Sequence, residues 1–233
     1  MMAKDVMTTE VATVRLDAEV PEIARLLLDR RISAVPVVDD SNHVVGIVSE
    51  GDLIRRPESG TLRSRSWWLG MFDTAEQSAT EYVRSHGLRA RDVMTRSVIT
   101  VSENASLGEI ATLLESHHIK RVPVIRDGNL IGIVSRANLL FGLAVRHPTE
   151  AGASNPDDPV IKAAIDEAVR EAGVRTMFLN IVVSGGVVYF WGATESEQER
   201  AALRVAAETT PGVKRLEDHL TLLDGRLRAG AWI

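Results

Sequence analysis

One stretch of this chain occurs twice, and the recurrence limits the fold more than any local pattern. The first copy reads Ile32-Ser-Ala-Val-Pro-Val-Val38, then Val44-Val-Gly-Ile-Val-Ser-Glu-Gly-Asp52-Leu53. The second reads Ile119-Lys-Arg-Val-Pro-Val-Ile125, then Leu130-Ile-Gly-Ile-Val-Ser-Arg-Ala-Asn138-Leu139. Upstream, Asp5-Val-Met-Thr8 returns as Asp92-Val-Met-Thr95, Thr13-Val14 as Thr100-Val101, and Glu22-Ile-Ala24 as Glu109-Ile-Ala111. The offset holds until one residue is lost between Pro123 and Gly132. Each copy is one supersecondary unit that cannot bury its apolar face alone. Two such copies are expected to pack face to face and leave a cleft.

Within a copy the order reads β-α-β-β-α. Residues 5–14 read as a short β element, because Val11, Thr13 and Val14 suit a strand. Pro21 suits the first turn of a helix, and Ile23, Leu26 and Leu27 fall on one face of it. Ala34–Val38 is a short apolar strand whose Pro36 lacks a donor, which places it at an edge or a strand start. Asp39–Asn42 makes a turn. Val44–Val48 is the partner strand, and a helix begins at Ser49. Residues 92–142 repeat the series.

The rest of the chain differs in character. Residues 57–87 interrupt the copies as an insertion carrying Trp67-Trp68 and an amphipathic helix over 74–86, opened by Asp73 and Glu76. Residues 146–156 are rich in small residues, Pro and Gly, and form a linker. Residues 157–224 read α-β-β-α-β. Asp158-Pro159 serves as N-cap and first turn, and Gly173 stops the helix. Ser184-Gly-Gly186 joins two strands, Ser196 caps a second helix, and Leu216, Leu220 and Leu222 alternate along a last strand. The expected class is α+β: paired modules at 1–56 and 88–145 packed about a pseudo-twofold axis, a small domain at 157–224, and a tail at 225–233.

Composition excludes several functions. A net charge of −5 argues against a nucleic-acid partner, which would need a concentrated basic face. The absence of cysteine removes thiolate metal sites and disulfides. His117-His118 is no metal pair, since adjacent helical residues point about 100° apart and no third ligand has suitable spacing. No nucleophile stands with a base and no phosphate-cradling glycine loop occurs, so no enzyme chemistry is expected. Without a signal-type apolar run, the expected location is the cytoplasm.

Residues 1–56 and 88–142 resemble a tandem pair of CBS domains, each with its Val-Pro-Val strand and its Gly-Ile-Val-Ser-x-x-Asp/Asn ending. Residues 157–224 resemble a BON domain in length, element order and the placing of Gly192 and Gly212-Val213. The resemblance implies an adenosine-containing ligand (AMP, ADP, ATP or S-adenosylmethionine) in the cleft, a homodimer, and no required cofactor. It also implies a phospholipid or protein partner for the BON domain.

Residue chemistry supplies a site for such a ligand. Asp52, an acceptor-only carboxylate, suits the two hydroxyls of a ribose. Ser49 stands at a helix mouth whose backbone N–H groups favour phosphate. Thr13, Val14 and the run Ile32, Ser33, Ala34 to Pro36 would line a slot for the adenine ring. The second copy offers Thr100, Val101, Lys120, Arg121, Pro123, Ser135 and Asn138. It adds a basic pair and exchanges the carboxylate for an amide. In the family, basic residues just before the Val-Pro strand contact phosphates. Two plainer readings stand beside these: Ser49-x-x-Asp52 as a helix cap, and Lys120-Arg121 as a solvated turn. The expected function is a non-enzymatic sensor that passes ligand occupancy to the BON domain. The alternative is a ligand-free dimeric scaffold that docks a membrane or protein partner through the BON domain and the tryptophans.

Overall fold

The computed structural model describes residues 1–54, 82–145, 157–176 and 178–223. Trp67-Trp68, most of the 74–86 helix, the 146–156 linker and the 225–233 tail lie outside the described residues; residues 82–86 are helical. The first copy contributes α1 (Ala3–Val6), β1 (Val14–Arg15), α2 (Val20–Asp29), β2 (Ala34–Val38), β3 (Val44–Ser49) and α3 (Glu50–Ile54). The second contributes α4 (Ala90–Val93), β4 (Val101–Ser102), α5 (Leu107–Ser116), β5 (Arg121–Arg126), β6 (Asn129–Ser135) and α6 (Arg136–Ala144). Then come α7 (Asp158–Glu171), β7 (Leu179–Ser184), β8 (Val187–Thr194), α8 (Glu197–Thr209) and β9 (Arg215–Leu222). The class is α+β, with three three-stranded sheets among the described residues, ordered β1-β2-β3, β4-β5-β6 and β7-β8-β9.

The compact units cut across the linear repeat. One comprises residues 12–99 with 127–130; the other comprises 1–11, 100–126 and 131 onward. Each Asp-Val-Met-Thr segment therefore folds into the unit of the other copy. Of the expected β element over 5–14 only Val14 enters a strand, β1, whereas Asp5 and Val6 belong to a helical turn, because Asp5 at its third position accepts the Met2 N–H at 2.7 Å, as Asp92 accepts that of Arg89 at 3.2 Å. Such N-terminal bonds satisfy donors a helix start leaves open. Beyond that turn Thr8 exchanges two backbone bonds with Ile133, and Thr95 does the same with Ile47.

In the 12–99 unit, β1 runs parallel to β2 and β2 antiparallel to β3. Pro36 thus sits at the third position of the middle strand, neither at the edge nor at the strand start that its missing donor suggested. Two features make this cheap. Its partner across the pair is Ile47, whose N–H and C=O are both taken by Thr95, and β1 pairs only with Val37 and Val38. A proline is tolerated where no ladder bond is required of it. Helix α2 forms as its apolar period predicts, Ile23 and Leu27 joining Val14, Val35, Val37 and Val48 in the core.

The second unit carries the other module and the C-terminal domain. Helix α5 opens with a full capping box, Ser106 Oγ accepting from Glu109 N at 3.2 Å and Glu109 accepting from Ser106 N at 2.7 Å. In the C-terminal sheet β7 and β8 are antiparallel, and β9 lies parallel to β8. Gly185 and Gly186 have φ of 60° and 81°, the left-handed pair that a tight hairpin requires. Asp158 is not the N-cap; Asp157 is. The Asp158 carboxylate turns instead to that hairpin, accepting from Gly185 N and Gly186 N at 2.8 Å each. At Gly192, with φ of 121°, a Cβ would lie 1.9 Å from the Phe178 carbonyl oxygen, so only glycine fits. Ile161, Ile165, Val169, Phe190, Leu203 and Leu220 build this core, whereas Leu222 is exposed.

Candidate ligand site

The chemistry concentrates where the second hairpin strand of each copy runs into its helix. In the 12–99 unit Ala34 pairs with Ser49, and Glu50 N donates to Ser33 O at 3.0 Å. Ser33, Ala34, Ser49 and Asp52 are thereby brought to one end of the sheet. Asp52 Oδ2 accepts from Ser49 N at 2.9 Å and from Ser49 Oγ at 2.6 Å. Those bonds make Ser49-x-x-Asp52 a helix cap, as the plainer reading expected. The cap uses one carboxylate oxygen. Asp52 Oδ1 stands outside it, with Arg84 Nη2 3.8 Å away and the side chain 19% exposed. Thr13 precedes β1, which joins β2 three residues further along, about 10 Å from the Ala34 level at strand rise. Thr13, Ile32 and Ser33 are half-buried, whereas Val14, Ala34 and Pro36 are buried and form the wall behind.

In the second unit the same motif is closed. Asn138 Oδ1 accepts from Ser135 N at 2.8 Å and from Ser135 Oγ at 2.6 Å. Its Nδ2 donates to the Val6 carbonyl at 2.8 Å, and the residue is 5% exposed. Both ends of the amide are committed. Lys120 is exposed, Arg121 half-buried, and Lys120 O accepts from Arg136 N at 3.2 Å, the counterpart of the Ser33 bond. Thr100 and Ser135 are half-buried; Val101 and Pro123 are buried. A shallow depression beside β4 and α5 touches only Val101 of this set. His117 and His118 are exposed, and no group of three or more metal-ligating side chains occurs among the described residues.

Two features escaped the sequence reading. The first is Arg84, which also donates to Thr95 Oγ1 at 3.0 Å; one arginine in an insertion gives no spacing signal. The second is the joint between the second module and the C-terminal sheet. The Val6 carbonyl that accepts from Asn138 also accepts from Asn180 Nδ2 of β7 at 2.8 Å. Phe141 of α6 stacks on Trp191 of β8 with ring centres 5.5 Å apart, and Trp191 stacks on His219 of β9 at 3.9 Å. Glu10 accepts from Thr176 N and Oγ1 at 3.0 and 2.8 Å. The outward period of β7 and β8, carrying Asn180, Tyr189 and Trp191, could have hinted at a covered second face.

Comparison with known proteins follows this division. The family model for the CBS domain matches residues 3–59 and 90–144, and that for the BON domain matches residues 157–224. An uncharacterised protein of Methanocaldococcus jannaschii, MJ1426, is 30% identical over 159 residues, covering 61% of this chain and 91% of that protein. The chloroplastic CBS domain-containing protein CBSX2 of Arabidopsis thaliana is 29% identical over 144 residues, 59% of this chain and 60% of its own length. The crystal structure of CBSX2 in complex with AMP superposes with a TM-score of 0.54 at 27% identity, covering 61% of this chain and 96% of that one. No helix among the described residues is long and apolar enough to cross a membrane.

Proposed function

The chain belongs to the CBS-domain family and ends in a BON domain, and from that premise we propose that it is a non-enzymatic sensor of an adenosine-containing ligand, with AMP, ADP or ATP as the candidates. The observation that carries the reading is the Asp52 carboxylate, one oxygen of which caps α3 while Oδ1 stays outside the cap. An ionised oxygen so placed can accept from a ribose hydroxyl without unmaking the helix start. The AMP complex of CBSX2 supports adenosine as the ligand class. The BON domain is the responding part, and a homodimer of this chain belongs to the same reading. Coupling of this kind is typically worth ~1–3 kcal/mol.

One observation favours the ligand-free scaffold: both Asp52 and Asn138 tie off their own helices. A thermal-shift titration of the full chain with AMP, ATP and adenosine separates the two. The sensor gains about 2.7 kcal/mol at a hundredfold excess of ligand over its dissociation constant. Asp52→Asn, which keeps an oxygen for the cap, should lose most of that gain while Asn138→Ala keeps it. Flat shifts with every ligand, or an undiminished shift in Asp52→Asn, would leave the scaffold.

A further inference from the structure

We infer that Arg84 is the phosphate-recognising residue of the Asp52 mouth, so that this site takes a nucleoside monophosphate in preference to the bare nucleoside. The inference rests on the reading that Asp52 binds the ribose, and it addresses a gap in that reading. A phosphate carried next to the Asp52 carboxylate is repelled unless a cation stands close by. Where the second copy has Lys120-Arg121, the first has Ser33-Ala34, and the nearest helix start adds Glu50, a further negative charge. At these positions the first copy therefore offers no cation to an anionic ligand.

The structure supplies the cation from outside the repeat. Arg84 lies in the helical residues 82–86 that follow the insertion. Its Nη2 donates to Thr95 Oγ1 at 3.0 Å and lies 3.8 Å from Asp52 Oδ1. At that separation the guanidinium is near the carboxylate without closing a hydrogen bond on it. Thr95 is itself fixed, exchanging both backbone bonds with Ile47 of β3. Nε and Nη1 make no hydrogen bond among the described residues, and the side chain is 47% exposed. A planar fork held at one corner, half-exposed and with those two donors uncommitted among the described residues, suits the bidentate binding of a phosphate. Its closeness to the ribose acceptor favours the phosphate nearest the sugar, hence a monophosphate as the minimal ligand.

Isothermal titration of the full chain with AMP and with adenosine tests this. Wild type should prefer AMP. Arg84→Ala should weaken AMP on the order of tenfold while adenosine stays within about twofold, and Arg84→Lys should fall between because a point charge replaces the fork. Thr95→Val, which removes the tether but keeps the charge, should weaken AMP by less than Arg84→Ala. An AMP-to-adenosine ratio equal in wild type and Arg84→Ala overturns the inference and leaves the ribose reading standing. A gain in both ligands on removing Arg84 also overturns it, since the guanidinium would then be covering Asp52. Failure of both ligands to bind wild type overturns the inference and the ribose reading together.

Discussion

The two helix mouths share one framework, Gly-Ile-Val-Ser-x-x-Asp/Asn, and at its last position they differ by one functional group, an oxygen at Asp52 against an NH2 at Asn138. Both residues cap their helices through serine in the same way. The second oxygen of Asp52 has nothing to donate and stays outside the cap, beside Arg84. The NH2 of Asn138 donates to Val6 and is buried with it. At this position the two copies thus part: one mouth keeps a carboxylate oxygen outside its cap, and the other becomes a joint. That joint reaches the BON sheet, because Val6 O also accepts from Asn180.

Exchanging the two groups tests whether the mouths differ. Asn138→Asp removes the donor to Val6 and sets a carboxylate oxygen against a carbonyl oxygen in a buried place. A cost of about 3 kcal/mol is expected, which for a chain of this size means a melting shift of roughly 6–12 °C. Asp52→Asn keeps the capping oxygen and should change stability by no more than about 1 kcal/mol. If calorimetry finds the two substitutions equal, the mouths are equivalent and the division is wrong.

A smaller effect is expected at the aromatic side of the joint. Phe141 has Arg55 as its counterpart in the first copy, so the stack on Trp191 belongs to one module only. Phe141→Ala should cost roughly 1–3 kcal/mol, the stacking contribution plus the area lost. Limited proteolysis should then cut between the second module and the BON domain sooner than in wild type. Unchanged cleavage would mean that Val6, Asn180 and Glu10 hold the joint without the rings.

Much of this was legible beforehand, and the misses share a cause. The repeat, the β-β-α ends, helix α2 and the Gly-Gly hairpin all follow from local pattern, since each is set by residues close in sequence. In Asp5-Val-Met-Thr8 the β-prone residues say nothing of Asp5 closing a helical turn, nor of Thr8 finding its partner at Ile133. Pro36 could take the middle strand only because Ile47 was already bonded to Thr95. Of the candidate site, Ser49, Asp52, Ser135 and Asn138 were found by repeat and spacing. Arg84 has no signal in the sequence, because its contacts join segments that no periodicity links, and Asn180 shows there only as part of an outward strand face, with no sign of its partner Val6.

The smallest expected effect distinguishes the two modules by the origin of a charge's stabilisation. Glu103 is held below its ordinary range by hydrogen bonds from the Arg126 side chain, whose Nε lies 2.7 Å away. Asp39 is held low chiefly by backbone donors, His43 N first and Ser41 N after it, each 2.9 Å from Oδ1. In both, the folded carboxyl is more acidic than the unfolded one. The stabilisation is therefore complete above the unfolded value, ordinarily 4.5 for Glu and 3.8 for Asp, and is lost as pH falls through the lower folded value. Glu103→Gln and Asp39→Asn should each flatten the decline of melting temperature at acid pH. Salt separates them. Raising it to 1 M shortens the screening length to about 3 Å, which weakens the ion pair at Glu103 and hardly touches the backbone bonds at Asp39. If 1 M salt erases the Asp39→Asn effect as fully as the Glu103→Gln effect, the Asp39 turn is held by His43 as a cation rather than by its amide, and the contrast fails there.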